Sequence, residues 1–270
     1  MTEITVGIPV YNGSETIREA INSVIEGAPD DFVLLVSDNG STDGTAEIVE
    51  HLAKQDQRIT LFRQPENLGP VGNFRFLAEQ ASTPYFAWRA HDDVSNENYF
   101  SILKDTLQDN EKAGLAAPRT VTAKTKRQRA RPFSVQLSSG DVANDRHFNH
   151  IQAGWFYGLY RTEAARAAVT YVDENYPHVW GWDIMMLVYT LLHSGVVGNN
   201  QAQFTHRIFG PAKKAYDLSK NELRTLAKDF YSCADGLAES KRLSSASRLS
   251  FRLRLIRLIL RRVVRLKRMI

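Results

Sequence analysis

Short apolar segments alternate with amphipathic segments over the first 90 residues, and this alternation constrains the fold more than any other feature. The apolar segments are brief, rich in β-forming residues and mostly free of charge. Such segments are typical of parallel strands that are covered on both faces. They are ITVGIPV (4–10), FVLLVSD (32–38), RITLFRQ (58–64) and YFAWRA (85–90).

The segments between them have helical spacing. Ser14 is predicted to cap a first helix, and Ile48, Val49 and Leu52 share one face of a second. Phe74, Leu77 and Ala78 recur at helical spacing in a third. Strands that alternate with helices predict an α/β fold with a doubly wound, mostly parallel sheet flanked by helices. Ligands of such sheets bind at the carboxyl ends of the strands.

Polar residues follow the predicted strand ends. Asp38 closes the second strand, Asn67 follows the third, and the adjacent carboxylates Asp92 and Asp93 follow the fourth. Two carboxylates about 4 Å apart repel each other by roughly 4 kcal/mol at an effective dielectric constant of 20. The pair therefore needs a metal, a basic side chain or water, although carboxylates at a strand-to-helix junction also serve as ordinary helix caps.

Composition indicates a globular cytosolic protein. The 270 residues are 43% hydrophobic and 24% charged, which suffices for a substantial core. The single cysteine, Cys233, excludes an intramolecular disulfide framework and a zinc cluster of cysteines. The N-terminal sequence MTEITVGIPVYNG is neither a signal peptide nor a membrane anchor, so a cytoplasmic location is expected.

Two common phosphate-binding sequences are missing. No G-x-G-x-x-G follows the first predicted strand, and no G-x-x-x-x-G-K-[ST] occurs in the chain. If the ligand at the strand ends is a diphosphate, its charge is therefore expected to be neutralised by a divalent metal rather than by a glycine-rich loop. Asp93 with Asp92 is the expected site for this metal, Mn²⁺ or Mg²⁺.

Four motifs in order carry a family resemblance. VGIPVYNGSETIREAINSV, VSDNGSTDGTAEIVE, ENLGPVGNF and HDDVS, within residues 3–115, resemble the nucleotide-sugar-binding half of inverting family 2 glycosyltransferases with the GT-A fold. The resemblance implies a nucleotide-diphosphate sugar donor, with a UDP-sugar favoured, and Asp38 in contact with the base. Asp93 is then the direct metal ligand. The residues assigned to the donor are Pro9, Val10, Tyr11, Glu15, Asp38, Asn67, Asn73 and Asp92.

The acidic motif departs from the family pattern. Relatives often carry Asp-x-Asp-Asp, whereas here Ala90 replaces the leading acid and His91 follows it. The change weakens the case for tight metal binding and leaves a catalytically impaired sugar-binding or nucleotide-binding relative as an alternative. His91 either donates a hydrogen bond to a ligand of the metal or is a partly buried histidine whose hydrogen bonds are satisfied within the fold.

The second half is expected to hold the acceptor site. By the resemblance, Asp183 occupies the position of the catalytic base, which takes the proton of the acceptor hydroxyl. Trp180 or Trp182 is the predicted sugar-stacking wall. Residues 155–160 are predicted to form a strand, whose Trp155 and Tyr157 either contact the acceptor or belong to the core.

Two basic segments remain open. Residues 205–217 resemble the loop with which relatives cover the donor, and His206, Arg207, Lys213 and Lys214 are candidates to contact the diphosphate, although a solvated loop fits as well. The basic segment 119–133 suits a phosphorylated acceptor or is simply solvated.

The C-terminal segment is a basic amphipathic helix. Residues 241–270 contain eleven Lys or Arg and no acid, and since the whole chain carries +4, the first 240 residues carry −7. Helical spacing places Arg254, Arg257, Arg261, Arg265 and Arg268 on one face and Leu255, Ile259, Val263 and Leu266 opposite. So many charges exclude a transmembrane span. An anionic membrane surface fits residues 248–270, while docking on the chain's own domain or on a partner subunit remains open.

These features predict a metal-dependent hexosyltransferase of polysaccharide or glycolipid synthesis, peripheral to the inner face of the cell membrane. The predicted divisions are 1–115 for the donor, 116–216 for acceptor and catalysis, and 217–270 for C-terminal helices. The acceptor is a glycan or a lipid-linked glycan. A nucleic-acid-binding protein that uses the basic tail is the remaining alternative, disfavoured because the gathered carboxylates repel phosphate.

Overall fold

The structure is a computed structural model, and it describes residues 2–124, 127–131, 151–209 and 219–269. Side chains are described for 2–123, 151–209 and 219–261. The strands are β1 Ile4–Val10, β2 Phe32–Asp38, β3 Ile59–Arg63, β4 Tyr85–Trp88, β5 Val94–Ser95, β6 Leu115–Lys124, β7 Arg127–Arg131, β8 Leu159–Arg161 and β9 Val196–Ile208. The helices are α1 Ile17–Gly27, α2 Thr45–Gln55, α3 Gly69–Gln80, α4 Tyr99–Gln108, α5 Thr162–Asn175, α6 Trp182–His193, α7 Lys220–Ser240 and α8 Ser245–Met269.

One sheet runs through the described part of the chain, in the order β3-β2-β1-β4-β8-β6-β9-β5, with β7 paired to β6. The first four strands in this order are parallel. Beyond β4 the pairing is mixed, because β8 runs antiparallel to both β4 and β6 while β6 and β9 are parallel. The predicted α/β fold is confirmed, with a parallel first half and a mixed second half.

The central strands are covered on both faces, as their sequences predict. In β4, Phe86 and Trp88 pack in one hydrophobic core, while Tyr85 and Ala87 pack in the other. The first core lies against α3, α5 and α6 together with the C-terminal helices, and the second lies against α1, α2 and α4. Because neighbouring residues of a strand point to opposite faces, a strand without polar alternation needs both layers.

Two local predictions are wrong. The first helix begins at Ile17 with Thr16 at its N-cap, and no side chain caps it, so Ser14 does not do so. The predicted strand at 155–160 is a 3₁₀ helix, Ala153–Tyr157, followed by β8. Trp155 and Phe156 belong to the same core, and a strand would send these neighbours to opposite faces.

The C-terminal helices pack on the body of the protein. α7 starts with a capping box in which Ser219 and Glu222 satisfy each other's backbone amides. α8 buries Phe251, Leu255 and Ile259 in the first core, so the apolar face predicted from the sequence docks on the chain's own domain. The side chains of Val263, Arg265, Leu266 and Arg268 lie outside the described residues. No helix in the described ranges is both long and apolar enough to cross a membrane.

A partly exposed cluster of ion pairs joins α8 to α7. Asp235 accepts hydrogen bonds from Arg252 Nε and Nη2 at 2.8 and 2.7 Å and from Arg248 Nη2 at 3.1 Å. The bonds from Arg252, followed by those from Arg248, lower the pKa of Asp235 from 3.8 to about 2, although burial opposes the shift.

We expect Asp235→Asn to lower the free energy of unfolding by about 1 to 2 kcal/mol at pH 7, because the folded state stabilises the ionised carboxylate. A lowered pKa stabilises the fold above about pH 4, and this contribution is lost as the pH falls toward 2. Urea unfolding at several pH values measures the difference. Glu239→Gln, which removes an exposed carboxylate paired with Arg248, is the matched control and should change stability much less. Equal losses in the two variants, or a loss independent of pH, would contradict the prediction.

Candidate active site

The carboxyl ends of β1 and β2 lie side by side. Their parallel register pairs Val10 with Asp38, and the Asn39 amide donates to the Val10 carbonyl at 2.9 Å. The side chains of Pro9 and Val10 are buried, whereas the Tyr11 ring is exposed immediately beyond the strand. The structure therefore brings the predicted donor residues Pro9, Val10, Tyr11 and Asp38 to one edge of the sheet.

Hydrogen bonds join the loops that follow β1 and β2. Asn12, in the left-handed region with φ of 50°, accepts from the Thr42 amide at 2.9 Å and donates its own amide to Ser41 Oγ at 2.8 Å. Asp43 accepts from the Ser14 amide and from Thr45. Burial raises the pKa of Asp43, but the hydrogen bonds from Thr45 and Ser14 outweigh this effect and lower it to about 2. The two loops form one shelf at the strand ends.

An asparagine network extends this shelf to the start of α3. Asn39 Nδ2 donates to Asn67 Oδ1 at 2.9 Å, and the Leu68 amide donates to Asn39 Oδ1 at 2.9 Å. On α3, Asn73 Nδ2 donates to the Ser37 carbonyl at 2.9 Å. Asn67 and Asn73 thus lie at the same edge as Asp38, while Glu15 is exposed on the loop before α1.

Two buried oxygens on this shelf have no hydrogen-bond donor among the described residues. Asp38 Oδ2 accepts from the Ser41 amide at 3.2 Å, but Asp38 Oδ1 and Asn73 Oδ1 have no partner. An unsatisfied buried polar atom costs about 1 to 3 kcal/mol. Both atoms are acceptors, so a ligand with N–H or O–H groups would satisfy them.

The acidic pair lies where β5 meets β9. Asp93, 1% exposed, immediately precedes β5, whose Val94 pairs with Thr205 of β9. Asp93 Oδ1 accepts from the Arg207 amide at 2.8 Å, and His206 Nδ1 lies 3.2 Å from both carboxylate oxygens. The hydrogen bond with Asp93 raises the pKa of His206 against the opposing effect of burial. Arg207 also donates from Nε to the Asp92 carbonyl at 2.6 Å and forms an ion pair with Glu19.

His91 turns toward the loop after β1. Its Nδ1 lies 3.2 Å from Thr16 Oγ1, and it packs against Gly13 so closely that a Cβ at Gly13 would meet Nδ1 at 2.8 Å. The glycine is required for this approach. His91 is thus held by a contact with Thr16 at the start of α1.

The residues at Asp93 suit a divalent cation that shares its ligands with a substrate. Asp92, Asp93 and His206 offer two carboxylates and an imidazole, and Mg²⁺ is commonly bound by one or two carboxylates together with substrate phosphates. No group of three His, Cys, Asp or Glu side chains within the described ranges is arranged to hold a metal by itself. The chain therefore fits a metal completed by a diphosphate better than a metal bound by protein alone.

Arg89 lies fully buried next to this site. Its guanidinium carbon is 4.8, 5.4 and 5.2 Å from the ring centroids of Tyr99, Phe100 and Phe204. Its nitrogens form no hydrogen bond of good geometry with a described residue, and the neighbouring Tyr99 hydroxyl donates to the Tyr157 carbonyl at 2.8 Å. Burial lowers the pKa of Arg89, and the Asp93 charge opposes the shift. Arg89 thus places a buried positive charge near the buried carboxylate of Asp93.

The pKa of Tyr157 responds to the charges of the acidic pair and of Asp183. Burial raises the pKa of the Tyr157 hydroxyl well above its ordinary value, and the charges of Asp93, Asp183 and Asp92 raise it further. Asp183 stands in the first turn of α6. Its charge also raises the pKa of the buried Tyr160, after the larger effect of burial. Three predicted functional carboxylates therefore act on one tyrosine.

A cavity of about 230 Å³ adjoins Asp183. Trp180 lines it, whereas Trp182 and Trp155 are buried in the core and Trp182 Nε1 donates to Asp173 at 3.1 Å. Of the predicted tryptophans, only Trp180 lines this cavity. The full lining is Val179, Trp180, Gly181, Asp183, Ile184, Phe230, Leu258 and Ile259.

Two residues close to the candidate site escaped the sequence analysis. Arg89 is one, although a lone charge in an apolar strand was the available signal; Asp43 is another, hidden inside the motif STDGT. Two predictions lie outside the described residues: the loop lysines Lys213 and Lys214, and the side chains of 124–133 in the basic segment 119–133. Within the described part, Val10 and Asp38 lie side by side at the strand ends, and His206 and Arg207 contact the acidic pair.

The chain is similar in sequence to known glycosyltransferases. It is 30% identical over 111 residues to an uncharacterized glycosyltransferase from Haemophilus influenzae, which covers 41% of this chain and 44% of that protein. It is 33% identical over 124 residues to the GalNAc(5)-diNAcBac-PP-undecaprenol beta-1,3-glucosyltransferase of Campylobacter jejuni, covering 41% and 40%. The matched region thus spans less than half the length of either relative.

Solved structures share the fold. TarS of S. aureus in complex with UDP-GlcNAc superimposes with a TM-score of 0.74 at 15% identity, over 95% of this chain and 72% of that one. The mannosyltransferase PcManGT from Pyrobaculum calidifontis, in complex with GDP-Man and Mn²⁺, gives 0.61 at 15% identity, over 96% and 69%. The sheet and its flanking helices therefore define a GT-A-type fold.

The family follows from the sequence. The profile described as "Glycosyl transferase family 2" matches residues 5–166, which is more than half of the chain. The chain belongs to glycosyl transferase family 2. The match extends beyond residues 3–115, on which the motif resemblance rested.

We expect Arg89→Met to lower the free energy of unfolding by about 2 to 4 kcal/mol, because it removes desolvated cation–π contacts and a cation close to a buried carboxylate. Arg89→Lys, which keeps the charge but not the planar guanidinium, should lose less. Guanidinium chloride unfolding at pH 7 compares both with the wild type. A Met variant as stable as the wild type would show that the fold only tolerates this cation.

Proposed function

We propose that the protein transfers a sugar, with inversion at the anomeric carbon, from a nucleotide-diphosphate donor to a hydroxyl of a polysaccharide or glycolipid precursor. The observation that carries the proposal is the pair of buried acceptor oxygens without donors at the strand ends, Asp38 Oδ1 and Asn73 Oδ1. Membership of the family and the nucleotide-sugar complexes of two structural neighbours support it.

The shelf formed by the loops after β1 and β2 binds the nucleotide in this proposal. Asp38 Oδ1 and Asn73 Oδ1 are buried acceptors without donors, and uracil and ribose carry N–H and O–H groups that match them. The exposed Tyr11 ring offers a surface for stacking. We favour a UDP-sugar, as the motif resemblance implies; TarS was solved with UDP-GlcNAc.

Asp93, Asp92 and His206 would hold a divalent metal together with the diphosphate. When bound, such a metal neutralises the charge that develops on the leaving diphosphate. Arg207 assists from the protein side, since its Nη2 is buried without a described acceptor while its Nε fixes the Asp92 carbonyl. The backbone amide of Arg207 orients Asp93 in the same contact.

Asp183 acts as the general base. It takes the proton of the acceptor hydroxyl while the acceptor oxygen bonds to the anomeric carbon and the bond from that carbon to the diphosphate oxygen breaks on the opposite side. Its place in the first turn of α6 suits an anion, because the N-terminal end of a helix is electropositive. Trp180 and the cavity next to Asp183 would receive the acceptor.

The acceptor in this proposal is a lipid-linked glycan at the inner face of the cell membrane. The Campylobacter jejuni relative is named for an undecaprenol-linked substrate. The acid-free basic segment 241–270 suits an anionic membrane surface. In this arrangement residues 1–115 supply most of the donor site, to which His206 and Arg207 contribute, and residues 116–216 supply the base and the acceptor site.

Binding of UDP should require Mn²⁺ and Asp93. We expect calorimetric titration of UDP with Mn²⁺ to give saturable binding that weakens at least about tenfold without metal or in Asp93→Ala, because the diphosphate charge is then uncompensated. Asp105→Ala, which removes an exposed carboxylate from α4, is the control and should bind UDP like the wild type. Equal UDP affinity in Asp93→Ala would contradict the metal assignment, and titrations of dTDP and GDP compare the other bases.

Turnover should require Asp183. Asp183→Asn is expected to lower kcat by roughly 10² to 10⁴, the usual contribution of a general base, while UDP affinity stays unchanged. The assay is UDP release from a panel of UDP-sugars with isolated membranes as acceptor. Asp173→Asn, which alters the partner of the Trp182 indole, controls for disturbance of the start of α6. An Asp183→Asn enzyme with normal turnover would refute the assignment.

A further inference from the structure

α8 has two apolar faces, of which only one is used for folding. Phe251, Leu255 and Leu258 are buried in the core. A second row, here called the α8 stripe, consists of Leu249, Leu253, Ile256 and Leu260. These side chains are 43 to 61% exposed, and their spacing of four, three and four residues aligns them along one side of the helix. The stripe supplies half of the large hydrophobic side chains that are exposed in the described ranges.

Positive charge flanks the stripe. Arg257 and Arg261 are exposed on the same helix. On the other flank, Arg248 and Arg252 are held by Asp235, so they fix the helix to the protein. No acid occurs from Lys241 to the C-terminus, where eleven basic residues lie. A surface that covers the stripe must therefore be apolar at its centre and anionic at its edges.

An anionic lipid surface meets both requirements. Interfacial helices bury leucines at the boundary between headgroups and acyl chains while their Lys and Arg contact lipid phosphates. A second copy of the chain fits poorly, because two acid-free segments with eleven cations each would meet. Nucleic acid would neutralise the arginines but leave the leucines exposed.

We propose that the α8 stripe docks the protein on an anionic membrane, with Leu249, Leu253, Ile256 and Leu260 among the lipids and Arg257 and Arg261 at the headgroup phosphates. The inserting side is thus not the Leu255–Ile259 side that the sequence predicted, because that side is folded onto the core. The proposal deepens the proposed function and rests on it only for its purpose, the delivery of a lipid-linked acceptor.

The docked helix would also fix the cavity relative to the membrane. Leu258 and Ile259 line the cavity next to Asp183, and Ile256 and Leu260 flank them in sequence on the exposed side. A helix with its side chains is about 10 Å across. The candidate base would then stand roughly one helix diameter from the lipid surface, within reach of a sugar that is carried on a lipid phosphate.

Co-sedimentation of the full chain with vesicles tests the proposal. The probes are phosphatidylcholine vesicles with and without phosphatidylglycerol. The test variant carries Leu253→Gln and Leu260→Gln, and the matched control carries Leu253→Met and Leu260→Met, which keep the stripe apolar at the same exposed positions. Circular dichroism and thermal unfolding establish that each variant is folded, which exposed positions allow.

We expect the wild type and the control to bind anionic vesicles at least about tenfold more tightly than the stripe variant. Arg257→Gln should weaken binding at low salt and have less effect at 0.5 M NaCl, because salt screens the headgroup charge. Equal binding by the folded stripe variant and the wild type would overturn the proposal, and so would failure of the wild type to bind anionic vesicles. UDP titration of the same proteins separates the hypotheses: loss of vesicle binding with intact UDP binding concerns docking alone, whereas a wild type that binds vesicles but no nucleotide contradicts the proposed function alone.

Discussion

The buried carboxylate of Asp93 is the contact on which the candidate site depends. Asp93 contacts His206 and the Arg207 amide, which follow it in the sequence by 113 and 114 positions. The pairing of β5 with β9 brings these residues together. Without that pairing the acidic motif would stand at a strand end with nothing opposite. Burying a carboxylate costs free energy because its charge loses contact with water. His206, the Arg207 amide and the enclosed Arg89 offset this cost for Asp93. The second half of the fold therefore completes a site that the first half begins.

The sequence predicts well those features that depend on neighbours along the chain. Four strands and three helices of the first half follow from apolar periodicity. Asp38 falls at the end of β2 because parallel strands align their carboxyl ends, whereas Asp93 lies beyond the end of β4, immediately before β5. The aromatic segment at 155–160 was misjudged, since bulky rings favour strands locally while Trp155 and Phe156 both have to enter one core. The role of Arg89 depends on three rings from α4 and β9, which no local pattern reveals.

α8 illustrates a different limit. Its sequence satisfies helical apolar spacing twice, once through Leu255 and Ile259 and once through Leu253 and Leu260. Periodicity alone cannot decide which row meets the core, because the decision depends on tertiary contacts, among them those of Asp235 of α7 with Arg248 and Arg252. The ion pairs and the burial of Phe251 and Leu255 together agree with one rotation of the helix, in which Leu253 and Leu260 face outward.

The single sheet also has a mechanical consequence. Asp38 lies at the end of β2, Asp93 immediately precedes β5, and β8 leads along the chain toward Asp183. Ladder hydrogen bonds join these parts of the sheet, through β4 with β8 and through β6 with β8 and β9. A hinge between the two halves would break these hydrogen bonds. Hinge closure of the two halves around a ligand is therefore costly for this architecture. In the proposed function, the donor and acceptor sites would lie on one rigid sheet, so folding would fix the distance between them. Closure over the substrates would then come from the connecting loops.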